Sequence, residues 1–467
     1  MCSTLYQNKL PTSTGDAECE AKHPPVSLPP PDEEPSGADV YPLGWLFGIR
    51  GVPQKPGSST FRGAGLASQP LPPSQDPWYK APAGFETKEP GTILRIRPTP
   101  GNLGTFIGNS SASYNILYRT TDSRYRPTWA VTTLIFPKSF YVSPSGKTAM
   151  LSYQFAYNTA NLDSSPSYTL NQEKLQSNID LGIQSNTSLL TELLGHGWII
   201  NTPDFEGPHA AFGASVLAGH ATLDSIRAVL NLAQLTGDAN ITTTMWGYSG
   251  GSIATAAAAE LQVQYAPELD ISGVVVGGLV DHLADNMSMI NKSPIAVSLV
   301  AVLLGTTTQY PEAAAYVRSR LRPETADEFL RAKDIDFGAS LRAFAMKDIY
   351  SYFVGGAEDL RSPILRKVFD VEGRRGFHGV PSMPMFIYKA IGDEFCPINL
   401  TDQLVERFCS RGADITYERN TVGGHVSEIG NGKGRAVKWL WSIFNESHVP
   451  AAEGGTIRDV SVNIQCP

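Results

Sequence analysis

Ile241-Thr-Thr-Thr-Met-Trp-Gly-Tyr-Ser-Gly-Gly-Ser-Ile-Ala-Thr-Ala-Ala-Ala-Ala-Glu260 is the stretch that decides the fold of this chain. Its first six residues are β-prone, and its alanine-rich end favours a helix. Between them lies Gly247-Tyr-Ser-Gly-Gly251, with a serine at the apex of a tight turn. Glycines on both sides of the serine let neighbouring segments approach where side chains would clash. The stretch therefore predicts a strand, a strained turn and a helix, in that order.

A G-x-S-x-G turn between a strand and a helix is the nucleophile elbow of α/β-hydrolases. The N–H of Gly250 would lie at the N-terminus of the helix, where it can donate to an oxyanion and where the helix dipole favours negative charge. An ordinary turn between a strand and a helix is the alternative, because glycine and serine are common in loops. The elements on either side of the turn favour Ser249 as a nucleophile.

The composition is that of a globular protein, with 467 residues of which 42% are hydrophobic and 18% are charged. The net charge is −8 and no run of lysine or arginine occurs, so neither nucleic acid nor an anionic membrane is expected as a partner. The longest apolar stretches, 271–280 and 295–305, are too short to span a bilayer. We therefore expect no stable membrane insertion, and the sequence does not indicate an oligomeric state.

Four segments differ in pattern along the chain. Residues 1–75 are rich in proline and predict an extended or disordered N-terminal arm, with a Pro-rich ligand for a partner domain as the alternative. Residues 76–280 begin with β-prone runs and continue with alternating strands and helices, as in the first part of a core. Residues 281–377 are helical in pattern and predict an inserted cap, after which 378–467 complete the core. The fold class is predicted as α/β, with a mostly parallel sheet flanked by helices and a helical cap.

Short β-branched, aromatic or continuously apolar runs mark the predicted strands. They are 93–97, 114–119, 128–136, 148–155, 197–201, 241–246, 271–280, 384–389 and 414–419. Helices are predicted over 175–195, over 221–235 and, at the end of the core, over 433–444.

A serine nucleophile needs a base to take its proton and an acid to orient that base. In this fold the acid follows the serine in the chain and the histidine comes last. Asp393 is the candidate acid, because it directly follows the strand 384–389 at the sheet edge where ligands bind. Glu394 and Asp402 are alternatives, and an aspartate that merely forms a turn is the non-catalytic alternative.

His425 is the candidate base, because it follows the strand 414–419 and two glycines that let the chain bend into a cleft. His448 also lies after the candidate acid, but beyond the last predicted helix. A second oxyanion donor, beside Gly250, should come from a loop after an earlier strand, and 202–208 is a loop of this kind.

Five places in the chain resemble the fungal secretory lipase family, of the lipase A type. They are Asp76–Glu86 with Pro90–Leu94, Thr202–Gly207, Gly247–Gly251, Gly392-Asp393 and Gly424-His425. The likeness extends over roughly residues 76–445. It implies that Ser249 is the nucleophile, Asp393 the acid and His425 the base, with Asp204 and Gly250 forming the oxyanion hole. It also implies that the helical cap shields an acyl-binding tunnel. A turn or helix-capping role is the alternative for Asp204.

These residues predict a serine carboxylic-ester hydrolase, a lipase or esterase, that acts on an ester with an apolar acyl group through an acyl-enzyme. A triad-dependent acyltransferase, or an esterase that deacetylates a specialised metabolite, is the alternative reaction. A non-enzymatic binding protein of the same fold is the third possibility. No metal or other cofactor is predicted, because no cluster of His, Cys and carboxylate residues has ligand spacing.

Signals for the compartment of the protein conflict. The N-terminal residues show no basic region followed by an apolar one, which favours an intracellular location, whereas the resembled family is usually secreted. The sequence contains seven N-x-S/T sequons, at Asn109, Asn186, Asn240, Asn286, Asn291, Asn399 and Asn445. None of the five cysteines forms C-x-x-C, and any pair among Cys396, Cys409 and Cys466 could form a disulfide.

Overall fold

A computed structural model of the chain describes residues 70–101, 103, 107–170, 181–235 and 240–464. The predicted Pro-rich arm lies outside the described residues up to residue 69, and so does Cys466.

The described part of the chain contains one ten-stranded sheet. Its strands are β1 (Ile93–Pro98), β2 (Ser110–Thr121), β3 (Pro127–Pro137), β4 (Thr148–Gln154), β5 (Ile199–Pro203), β6 (Ile241–Tyr248), β7 (Ile271–Gly277), β8 (Met385–Ala390), β9 (Ile415–Asn420) and β10 (Thr456–Val460). Their spatial order is β1-β2-β3-β5-β4-β6-β7-β8-β9-β10. The pairs β1–β2, β2–β3 and β3–β5 are antiparallel, and all other neighbouring strands pair in parallel. The mostly parallel sheet predicted from the sequence is thus confirmed.

Helices cover both faces of this sheet. They are α1 (Pro166–Thr169), α2 (Leu181–Gly195), α3 (Ser215–Leu235), α4 (Gly250–Tyr265), α5 (Leu283–Ile290), α6 (Val297–Thr307), α7 (Pro311–Arg320), α8 (Pro323–Leu330), α9 (Phe337–Phe344), α10 (Ala357–Leu360), α11 (Pro363–Glu372), α12 (Ile398–Cys409) and α13 (His425–Phe444). The two faces bury alternate side chains of each central strand. In β8, Phe386 and Tyr388 join the core formed with α2 and α13, whereas Met385 and Ile387 join the core formed with α3 and α12.

Helices α5 to α11 are inserted between β7 and β8 and pack around an apolar core of their own. Leu299, Leu303, Phe329 and Phe344 are among its fully buried members. The main-chain N–H of Arg375 donates to the carbonyl of Asp281 over 2.9 Å, so the two connections to the sheet run side by side. The inserted helical cap is confirmed, while its boundaries at residues 281 and 377 stay a prediction.

Several elements differ from the sequence prediction. Helices α1 and α12 were not predicted, although the buried residues of α12 recur at helical spacing, and helix α3 begins at Ser215 rather than at residue 221. Strand β10 was not predicted either, because it is a mostly exposed edge strand without an apolar run. Helix α13 begins at His425 rather than at residue 433, since Gly430, Gly432 and Gly434 weaken the helical signal of its first turns.

Two further findings concern the cysteines and the membrane. Cys396 and Cys409 are both buried free thiols, so they do not pair with each other. No helix within the described ranges is both long and apolar enough to cross a membrane.

Candidate active site

Ser249 occupies the apex of the turn between β6 and α4, with φ 53° and ψ −122°. A residue with a Cβ rarely adopts this region, and such strain is concentrated at functional sites. The turn is fixed by the N–H of Ser249, which donates to the carbonyl of Gly277 at the end of β7 over 3.0 Å. The serine side chain is thereby raised above the carboxyl edge of the sheet.

The glycines beside Ser249 are required by close packing. A Cβ at Gly247 would overlap with the side chain of Thr255 and with the carbonyl of Gly251. A Cβ at Gly251 would overlap with the carbonyl of Gln154, at the end of the neighbouring strand β4. The pattern in the sequence therefore reflects a helix that starts directly against the strands.

Ser249, His425 and Asp393 form a continuous chain of hydrogen bonds. Nε2 of His425 lies 2.7 Å from Oγ of Ser249, and Nδ1 of His425 lies 2.8 Å from Oδ2 of Asp393. The three residues come from the turn after β6, the first turn of α13 and the turn after β8. The structure thus brings together the three residues that the sequence order indicated.

Asp393 is held in a position that favours its ionised form. Its Oδ1 accepts from the N–H groups of Phe395 and Cys396, over 3.0 and 2.8 Å. Burial raises the pKa of this carboxyl, but the hydrogen bond and charge of His425, together with Lys389, outweigh burial and hold the pKa below its ordinary value. A carboxylate that stays ionised can orient the imidazole and stabilise a positive charge on it.

The alternative acids and base lie in other arrangements. Glu394 accepts from the main-chain N–H of His425 over 2.9 Å and so supports the base from the backbone side. Asp402 contacts Tyr417 and Arg419 instead. The imidazole of His448 lies 3.5 Å from the carboxylate of Asp414.

Asn158, which the sequence patterns did not indicate, lies directly against Gly250. A Cβ at Gly250 would overlap with the side-chain amide of Asn158, and both residues line the same cavity as Ser249. Asn158 follows β4 and has φ 43°, a left-handed conformation that asparagine tolerates. As the first residue of α4, Gly250 has an N–H without a partner in the helix.

The structure does not bring Asp204 together with Ser249. The carboxylate of Asp204 accepts from the N–H and the hydroxyl of Ser167, over 2.9 and 2.5 Å. It lines another cavity, beside Tyr79 and Trp129. The sheet order explains this placement: β4 lies between β5 and β6, so the loop after β4 reaches the elbow and the loop after β5 does not.

A cavity opens beside Ser249 and His425, between the sheet core and the inserted helices. Apolar side chains form most of its wall, including Ile253, Leu283, Met287, Ile290, Val302 and Phe395. An apolar lining of this kind is typical of a site for a small organic molecule.

Asp393, Cys396 and His425 are a group in the described part of the chain whose ligand atoms lie close enough to hold a metal ion. Both ring nitrogens of His425 are already engaged, however, by Asp393 and Ser249. Burial raises the pKa of the Cys396 thiol, whereas a metal ligand must be a thiolate. The contacts therefore fit hydrogen bonding, and the absence of a metal and of other cofactors stays a prediction.

The sheet order, the elbow after β6 and the helices inserted between β7 and β8 define an α/β-hydrolase with a helical cap. A sequence profile described as "Secretory lipase" matches residues 172–452, more than half of the chain. The chain belongs to the secretory lipase family and is a carboxylic ester hydrolase, which confirms the resemblance seen in the sequence. The family is described as secretory, and the predicted intracellular location stays a prediction.

Individual relatives include esterases and a lipase. The chain is 53% identical over 425 residues to a probable trichothecene esterase of Stachybotrys chartarum, covering 91% of this chain and 88% of that protein. It is 45% identical to the trichothecene C-3 esterase of Fusarium sporotrichioides, covering 86% and 91%. Among solved structures, lipase A of Candida antarctica superposes with a TM-score of 0.76 at 25% identity, covering 86% and 92%.

Proposed function

We propose that this chain is a serine esterase that removes an acyl group from an alcohol of a trichothecene-type metabolite. The observation that carries the proposal is the hydrogen-bonded chain from Ser249 through His425 to Asp393, beside a cavity lined by the cap. Support for the substrate class comes from two relatives, at 53% and 45% identity, that are named as trichothecene esterases.

Acylation begins when Oγ of Ser249 attacks the ester carbonyl while Nε2 of His425 takes the hydroxyl proton. Asp393 keeps the proton of Nδ1 in place and stabilises the imidazolium that forms. The tetrahedral intermediate collapses as His425 gives its proton to the departing alcohol, leaving Ser249 acylated. Water then repeats the sequence, releases the acid and restores the serine.

Charge that develops on the carbonyl oxygen needs preorganised donors. We propose the N–H of Gly250 as one donor and Nδ2 of Asn158 as its companion, since the Asn158 side chain lies against Gly250, through Oδ1, beside Ser249. Asp204 is less suited to this role because its carboxylate is engaged by Ser167 in another cavity. Truncation of one such donor costs about 10²–10³ in kcat in serine hydrolases, which is the loss expected for Asn158→Ala.

The test compares wild type, Ser249→Ala and Ser272→Ala on an acetylated trichothecene and on p-nitrophenyl acetate. Ser272 lies near the start of β7, whereas Ser249 contacts Gly277 at the end of that strand, so Ser272 serves as a control. Wild type should release acetate from both esters, and Ser249→Ala should lose at least about 10³-fold in rate. Equal rates in wild type and Ser249→Ala would exclude this nucleophile.

The reaction type is decided in the same assay. Mass spectrometry of the products, with an excess of a second alcohol present, separates hydrolysis from acyl transfer, because only transfer yields a new ester. Labelling of Ser249 by a fluorophosphonate probe tests for a reactive nucleophile, and failure to label would favour a binding protein without catalysis.

A further inference from the structure

The apolar wall of the active-site cavity contains a buried side-chain amide. Asn286 on the cap helix α5 lines the cavity together with Ser249, and it is only 5% exposed. Its Nδ2 donates to Sγ of Cys396 over 3.4 Å, whereas its Oδ1 is buried without a hydrogen-bond partner. Buried polar atoms in native proteins are nearly always paired, so the unpaired Oδ1 points to a partner that arrives with the substrate.

Neither a glycan nor a hydrogen bond from a neighbouring side chain accounts for the Asn286 amide. Asn286 begins an N-x-S sequon, but a side chain that is 5% exposed in the cavity wall leaves no room for a glycan in the folded chain. Its neighbours in the wall, among them Leu283, Met287 and Ile290, are apolar and offer no alternative donor. Ser298, half-buried in the same wall, adds a polar group to those of Asn158, Ser249 and His425 in the cavity.

A hydroxyl group is the partner that suits Asn286 best. Burial raises the pKa of the Cys396 thiol, which therefore stays protonated and can donate as well as accept a hydrogen bond. The amide can thus present either its oxygen or its nitrogen to the cavity while the other atom contacts Cys396. A hydroxyl group both donates and accepts, so it pairs with the amide in either orientation.

We propose that Asn286 determines specificity by hydrogen-bonding a free hydroxyl group on the substrate that occupies the cap cavity. The preferred substrates are then esters of oxygenated ring systems that carry a free hydroxyl, rather than esters made only of hydrocarbon. A hydrocarbon in the cavity would leave the amide unpaired, and sites built around a hydrogen bond reject analogues that lack it. This inference rests on the proposed ester hydrolysis at Ser249.

The experiment uses two acetate esters of one polycyclic alcohol skeleton, one with a single free hydroxyl and the other lacking it. The ratio of their kcat/KM values is measured in wild type, in Asn286→Leu, which is similar in size but apolar, and in Met289→Leu. Met289 lies on the same helix, is 49% exposed, and serves as the matched control. Because both esters are assayed on the same variant, a general loss of folded enzyme cancels from the ratio.

We expect wild type and Met289→Leu to prefer the hydroxylated ester by at least about tenfold. In Asn286→Leu the two esters should differ by no more than about twofold, mainly because KM for the hydroxylated ester rises. A wild type without preference, or an Asn286→Leu variant that retains it, would overturn the inference.

A second measurement needs no turnover. Calorimetry on wild type and on Asn286→Leu compares binding of the two free alcohols that deacetylation would produce, which differ by the one additional hydroxyl. Tighter binding of the alcohol with that hydroxyl by wild type, by about tenfold, and loss of this preference in Asn286→Leu support the role of Asn286, whereas equal binding by wild type, or a preference that the variant keeps, contradicts it. If wild type hydrolyses neither acetate, the proposed function fails, while this binding comparison still decides the inference about the cavity.

Discussion

The hydroxyl of Tyr248 donates a hydrogen bond of 2.6 Å to the main-chain carbonyl of His425. Tyr248 immediately precedes Ser249 on β6, so the residue next to the nucleophile also holds the first turn of the helix that carries the imidazole. The ring of Tyr248 fits there because Gly277 has no side chain, and a Cβ at that position would overlap with the ring. The variable position of the G-x-S-x-G turn thereby helps to fix the distance between Ser249 and His425.

Replacement of this hydroxyl should weaken the alignment of the base. Tyr248→Phe is expected to lower kcat by about three- to tenfold with little change in KM, since one hydrogen bond contributes about 1 kcal/mol. Tyr388→Phe is the control, because its buried hydroxyl accepts from Trp246 and does not contact His425. Steady-state kinetics and thermal unfolding of both variants separate alignment from stability. An equal loss of kcat in the two variants would contradict the alignment role.

Two neighbouring carboxylates provide a test of the proposed acid. Asp393→Asn keeps the shape of the side chain but cannot stabilise a positive imidazolium, and kcat is expected to fall by about 10⁴, as in other triads. Glu394→Gln should lower kcat by less than about tenfold, because the amide oxygen can still accept from the N–H of His425. The reverse order of the two kcat losses would assign the acid role to Glu394.

Much of the site could be predicted because its residues lie at recognisable junctions. Ser249 sits between a strand and a helix, and Asp393 and His425 each follow a strand of the parallel part of the sheet. Chain order and strand ends therefore indicate three residues that the structure brings together. Their catalytic roles stay a prediction until the variants are assayed.

The oxyanion loop could not be derived in the same way. Sequence order suggests the loop after β5, with Asp204, but spatial order places β4 beside β6 and brings Asn158 to the elbow. A strand order that departs from the chain order, as for β4 and β5 here, depends on contacts between distant residues, which a local pattern does not contain. An asparagine after β4 was the one local signal, since asparagine tolerates a positive φ.

The packing of Gly250 against Asn158 predicts that even one methyl group disturbs the site. Gly250→Ala is expected to lower kcat by about 10²-fold or more, because the Cβ would displace the proposed oxyanion donor. Gly434→Ala is the control, as it lies in α13 with no atom within 4 Å of an added Cβ. That variant should keep its activity and gain about 0.5–1 kcal/mol in the free energy of unfolding. Activity retained in Gly250→Ala would contradict the close packing.

Two measurements on Asp204 test its role: the free energy of unfolding as a function of pH, and kcat. Burial raises the pKa of its carboxyl from 3.8 to about 7, although hydrogen bonds from Ser167 oppose this. The folded state therefore holds the proton more tightly than the unfolded state. Its contribution to stability is complete below the unfolded value of about 4 and is lost as pH rises through about 7.

Asparagine at this position does not titrate, and its amide can still hydrogen-bond the N–H and the hydroxyl of Ser167. The free energy of unfolding of Asp204→Asn should thus rise relative to wild type as pH increases from about 4 to about 8, in urea titrations at each pH. Its kcat should fall less than about tenfold, in contrast to Asn158→Ala. A stability difference that does not change with pH would contradict the raised pKa of the Asp204 carboxyl. A kcat loss of about 10²-fold in Asp204→Asn would contradict a purely structural role, because the side chain would then act at the reaction centre and not only through its contact with Ser167.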